Sequence, residues 1–116
     1  MKYKLTMTIL FIILIVSSYI SRDIYIHTFT AEKWIYDPYR RVNIVDDMLE
    51  RYSLVGMSES EINKLLGDET KNAYFKEDDN IVYWLGPERG LISIDSEWLV
   101  ITFENGTVSE YEILRD

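Results

Sequence analysis

The sequence predicts an α+β fold: a hydrophobic N-terminal helix followed by two short helices packed on a four-stranded antiparallel meander, in the order ααββββ. Three observations lead there. Residues 5–20, LTMTILFIILIVSSYI, carry no charged side chain. Apolar positions then recur at helical spacing over 43–52 and 58–67. After Gly67 the period changes from 3.6 to 2, and β-rich runs occur at 72–75, 81–85, 98–104 and 107–114.

The N-terminal 21 residues read as a transmembrane anchor or a signal peptide. At about 1.5 Å per residue, the apolar run spans about 24 Å, short for a bilayer core and long for the centre of a signal peptide. Val16-Ser17-Ser18 is a poor cleavage site, and Tyr3 and Tyr19 suit the two interfaces of an uncleaved span. We therefore expect an anchor through residues 5–20, with a secreted domain as the alternative. Lys2 and Lys4 precede the run and a nearly neutral Arg22-Asp23 pair succeeds it, so the positive-inside rule puts the C-terminal domain outside the cytoplasm of a cell membrane.

Residues 22–40 read as a tether with partial structure. Ile24, Ile26 and Thr28 alternate like a strand, whereas Ala31 to Ile35 suit a helical turn. Tyr25, Phe29, Trp34, Tyr36 and Tyr39 fit either the membrane interface or a packed surface. His27 is the only histidine, with Asp23 and Glu32 as its nearest acidic residues, and reads as incidental.

The domain proper is expected over 41–116. Its first helix has Ile44, Val45, Met48, Leu49 and Tyr52 on one face, Asn43 as N-cap and Asp46 and Asp47 in the first turn. The acidic group Asp46, Asp47 and Glu50 reflects dipole preference rather than a metal site. The second helix is fully punctuated. Ser58 and Glu61 form a capping box, Met57 and Ile62 stand at the staple positions, and Gly67 supplies the left-handed stop. In the strand region, Asn105-Gly106 marks a two-residue hairpin. The connection from Gly86 to Glu97, GPERGLISIDSE, is long for so small a meander, and long ordered loops carry function disproportionately. Its Glu88, Arg89, Asp95 and Glu97, with Trp98 at its base, are the expected partner-binding residues. The plainer alternative is a short extra strand of Leu91, Ile92 and Ile94 with the charges solvated.

Composition narrows the function. A net charge of −8 without a basic stripe argues against nucleic acid. The absence of cysteine removes disulfides, thiol catalysis and lipid attachment through sulfur. A folded part of about 75 residues is near the lower size for independent stability, so 3 Trp, 9 Tyr and 4 Phe matter for buried area.

Leu54-Val55-Gly56-Met57-Ser58 with Glu61, Leu65-Leu66-Gly67, Tyr83-Trp84-Leu85-Gly86, and the run from Trp98 to Gly106 resemble the SmpA/OmlA domain, also called BamE-like. That domain is structurally related to the β-lactamase inhibitory protein repeat. The similarity spans roughly residues 41–116 and its motifs are short. It implies a non-enzymatic cell-envelope domain that binds a protein partner, with no cofactor and no catalytic residues to carry over. The lipidated cysteine of that family's outer-membrane lipoproteins has no counterpart here. Two other functions remain open. One is an inhibitor or immunity-type protein that blocks an enzyme with an acidic loop. The other is a small hydrolase using Glu88, Asp95 or Glu97 as paired carboxylates, although no nucleophile elbow, phosphate loop or zinc motif accompanies them.

Overall fold

The computed structural model describes all 116 residues and begins with α1, Lys2–His27, a 26-residue helix with no buried residue. It is long and apolar enough to cross a membrane, a property shared by single-pass anchors and signal segments. The Thr6 and Thr8 hydroxyls bond back to the Lys2 and Lys4 carbonyls at 2.9 Å, so neither leaves an unpaired polar group on the apolar cylinder. The helix outruns the apolar stretch by seven residues. Ile24 and Ile26 are therefore helical and Thr28 is the C-cap, so their strand-like alternation forms no strand.

The segment after α1 is clamped rather than loose. Thr30 caps α2, Ala31–Tyr36, by accepting the Lys33 amide. The Lys33 ammonium donates to the Tyr25 and Thr28 carbonyls at 2.5 and 2.8 Å and lies 3.7 Å from the centre of the Tyr25 ring. A cation is favoured at that position because α1 ends there with unpaired carbonyls. Phe29 and Trp34 are buried in the core, while Tyr25, Tyr36 and Tyr39 are exposed, so only the first two take the packed role. A 3-10 turn, Pro38–Arg40, leads directly into α3, Arg41–Arg51. The helix thus starts two residues before Asn43, which lies inside it and does not cap it. Pro38 explains the difference, because its fixed φ suits a first helical position and it starts the turn that α3 continues.

The third short helix, α4, spans Glu59–Leu66 and has the expected capping box. The Glu61 amide donates to Ser58 Oγ at 3.2 Å, and the Ser58 amide donates to Glu61 Oε1 at 3.3 Å. Gly67 ends the helix at φ +73°.

Three strands form the sheet: β1, Asn80–Pro87, β2, Ser96–Glu104, and β3, Thr107–Arg115, antiparallel in the order β1-β2-β3. The β2–β3 turn is the expected hairpin, with φ of +54° at Asn105 and +83° at Gly106 as a type I′ turn requires. The fourth strand, expected over 72–75, is absent. Asn72 and Phe75 both have left-handed backbones, at φ +52° and +68°, which breaks a strand at each end. The segment is instead folded around Asn80, whose side chain donates to the Phe75 carbonyl and accepts the Glu77 amide.

Helices cover one face of the sheet. Trp34, Ile44, Met48, Ile62 and Leu66 meet Ile81, Tyr83, Leu85, Leu99, Ile101 and Val108 in a single core. Arg41 is buried beside it without a carboxylate. Its Nε donates to the Trp34 carbonyl and its Nη1 to the Trp84 carbonyl, and the guanidinium lies 5.0 Å from the Trp34 ring centre. Burial depresses its pKa.

Candidate functional site

The loop 88–95 inverts the arrangement that its composition suggests: Glu88 and Arg89 turn in to bonded partners, and the aliphatic side chains turn outward with Asp95. Gly86 starts the inversion. It lies where the β1–β2 register shifts, with φ +123°, and a Cβ there would stand 2.8 Å from the Tyr39 carbonyl oxygen. The Glu88 amide then donates to the Asp95 carbonyl, and Glu88 Oε1 accepts the Ile94 and Asp95 amides, closing the loop on itself.

Arg89 is the centre of the arrangement. Its Nη2 donates to Glu97 Oε1 at 2.8 Å and its Nε bridges both Glu97 oxygens at 3.1 Å, while its backbone amide reaches Glu97 Oε2. The remaining arm, Nη1, donates to Asp46 Oδ2 of α3 at 2.8 Å. Glu97 is only 2% exposed. Burial alone would raise its pKa, but the Arg89 guanidinium and amide outweigh that and hold it below the usual carboxylate range. The same hydrogen bonds to Glu97 raise Arg89.

The other expected residues are also engaged, apart from Asp95. Glu88 is largely buried and has Arg115 at 3.7 Å. Trp98 Nε1 donates to Asp116 Oδ2 at 2.9 Å. Asp95 is exposed and is the one loop carboxylate not held in a side-chain bond. The structure joins Arg89 to Glu97 and folds Glu88 back on the loop's amides as a brace, whereas Trp98, next to Glu97 in β2, points to the opposite face and bonds Asp116. Leu91, Ile92 and Ile94 form no strand and are 106%, 71% and 81% exposed. Their composition alone makes these three candidates for pairing. The signal that points outward is the adjacent Arg89 and Glu97, which together consume the inward positions.

The acidic residues of α3 have local partners. Asp47 Oδ2 accepts the Phe29 amide at 2.7 Å, and that bond, with help from Arg51, lowers its pKa. His27 pairs with Asp23 one turn back. No cluster of three or more His, Asp or Glu side chains converges with metal-ligand geometry.

The sheet offers a second candidate surface, and its two edges differ. Along β1 the outward groups are covered: the Val82 amide donates to Glu69 Oε2, the Val82 carbonyl accepts the Thr70 amide, the Trp84 amide donates to Thr70 Oγ1, and Arg41 takes the Trp84 carbonyl. With Val82 and Trp84 facing outward, the ladder alternation makes Trp98, Val100 and Thr102 of β2 bond to Leu114, Glu112 and Glu110 of β3. Tyr111 and Ile113 therefore point their amides and carbonyls away from β2. The start of this edge is closed by Met57 and Gly56, which bond both outward groups of Val108, but nothing in the fold bonds those of Tyr111 or Ile113. Beside this open edge, on the face away from the helices, lies a shallow groove of about 260 Å³. Its floor includes Phe75, Val100 and Leu114, and Glu77, Asp79, Glu110 and Glu112 give it four carboxylates.

Comparison of the chain with protein-family models, with curated proteins and with solved structures gives no match.

Proposed function

We propose that the chain is a single-pass cell-envelope membrane protein whose α+β domain lies outside the cytoplasm. In this reading it binds a protein partner, without catalysis, by accepting an extended basic segment along β3. The observation that carries the reading is the open β3 edge at Tyr111 and Ile113, in a fold that bonds the outward groups of Val82 and Trp84 on the opposite edge. Unpaired strand edges are templates for strand addition, with backbone bonds giving affinity and flanking side chains giving selectivity. Glu110 and Glu112 flank the edge and share the groove with Glu77 and Asp79, so a basic segment gains attraction where an acidic one is repelled. The resemblance to the SmpA/OmlA domain supports partner binding, and Lys2 and Lys4 support the orientation.

In-cell cross-linking of the C-terminally tagged full chain tests this. Tyr111→Pro removes one outward amide at a position where edge strands tolerate proline, and a Glu110→Lys/Glu112→Lys double variant reverses the flanking charge. Both are expected to lose the partner while keeping the wild-type melting temperature. A partner retained by both variants, or none captured by the wild type, overturns the reading.

A further inference from the structure

The geometry points to a second membrane contact: the aliphatic tip Leu91, Ile92 and Ile94 enters the lipid interface beside α1. This rests on the reading of α1 as a retained anchor. Followed backward from Phe29, the neighbours of the junction move along α3 toward its N-terminal end. Phe29 bonds Asp47 and Arg51, whereas Tyr25 and Ile26 share a cleft with Ile44 and Arg40. That end of α3 is also the loop's end of the sheet, since Arg41 bonds the Trp84 carbonyl and Gly86 abuts Tyr39. His27 and Arg89 line one cleft over α3. The anchor therefore leaves the domain on the side where the loop projects.

The distances allow contact. His27 is seven residues beyond Ile20, about 10 Å along the helix axis. The headgroup layer on each side of a hydrocarbon core is about 5–7 Å thick, so His27 stands just outside it. Leu91 lies two residues beyond Arg89, a reach of up to about 7 Å.

Chemistry favours lipid over water at this tip. Three adjoining aliphatic side chains are exposed on a loop whose shape is fixed by the Glu88 and Arg89 bonds, so they need no ordering on contact. Glu88 and Glu97 face inward onto Arg115 and Arg89, which lets the tip approach an interface with Asp95 as its only free carboxylate. Attachment through α1 keeps the tip at high effective concentration near the bilayer, so no basic patch is required of this acidic domain. The contact fixes the domain's orientation and leaves β3 free.

The chain contains no cysteine, so single sites can be labelled without background. Ile13→Cys, Ile92→Cys and Asn105→Cys variants of the full chain are labelled with an environment-sensitive fluorophore and reconstituted in phosphatidylcholine vesicles, with and without doxyl-labelled lipid. The expected result is strong quenching at position 13 and a blue-shifted emission at position 92. Quenching at 92 should be at least twofold that at position 105, on the far hairpin. Equal quenching at 92 and 105, with 13 still quenched, overturns the contact while leaving the anchor intact. A blue-shifted but unquenched label at 92 overturns it in favour of a protein surface such as a second copy of the chain. An unquenched label at 13 removes the anchor and this contact with it.

Discussion

Glu97 and Arg89 show how one ion pair decides the shape of a loop. The carboxylate is nearly inaccessible, accepts an amide and two guanidinium arms, and is linked through Arg89 to Asp46 of α3. Replacing it with glutamine keeps the size but removes the charge from these bonds, at an expected cost of about 1.5–3 kcal/mol at neutral pH. The pH dependence has a definite sign. The folded pKa of Glu97 lies below its unfolded value of about 4.3. Its stabilisation is therefore complete above that value and lost as pH falls through the folded pKa. Thermal unfolding followed by circular dichroism should show Glu97→Gln melting lower than wild type at pH 7 and losing less on acidification below about pH 4. Asp47 and Asp116, depressed by the Phe29 and Ser96 amides, preserve part of the acid slope in both. The length of this loop marks it as informative in the sequence, but its charges read there as outward-facing. Composition cannot separate a solvated Glu from one held by an arginine eight residues away, because the pairing depends on how the loop closes.

Elements whose determinants are local are the readable ones. The α4 capping box and the Asn105-Gly106 turn each depend on side chains within three residues of the backbone that they satisfy. The missing fourth strand shows the limit of that rule. Residues 72–75 have a strand-like composition, yet the β1 edge is satisfied by Glu69 and Thr70, and Asn80 gathers the intervening segment into turns. A tertiary demand overrides a weak local preference. Gly86 is also a tertiary position, because its φ of +123° and the Tyr39 carbonyl at 2.8 Å from a built Cβ both exclude a side chain. Gly90 has a similar φ of +132° but open space around it. Gly86→Ala is therefore expected to lower the melting temperature clearly more than Gly90→Ala. Backbone strain of about 1–3 kcal/mol is common to both, and displacement of the 3-10 turn is added only at position 86. Equal losses at the two positions would mean that the Tyr39 contact yields freely.

At the scale of the molecule, the folding unit reaches back past the helices that define it in sequence. Phe29 is 2% and Trp34 0% exposed, and their rings meet edge to face at 6.0 Å, with Tyr52 and Tyr83 completing the aromatic cluster. Trp34 also accepts Arg41 on its carbonyl and beneath its ring, so it positions the start of α3. The helical pattern of 43–52 is strong enough to suggest a boundary near residue 41, whereas two isolated aromatics in 22–40 carry no period by which their burial could be read. Deleting a buried Trp or Phe side chain costs about 3–5 kcal/mol, against a total stability of about 5–15 kcal/mol for a domain. Removing both, and the α2 backbone with them, should exhaust the stability of so small a core. A fragment of residues 28–116 is therefore expected to melt cooperatively with a near-ultraviolet aromatic signal, and a fragment of residues 41–116 to show neither at 25 °C. If the shorter fragment retained both, segment 28–40 would be a dispensable cover, and the clamp that joins α1 to the sheet would not be part of the folding unit.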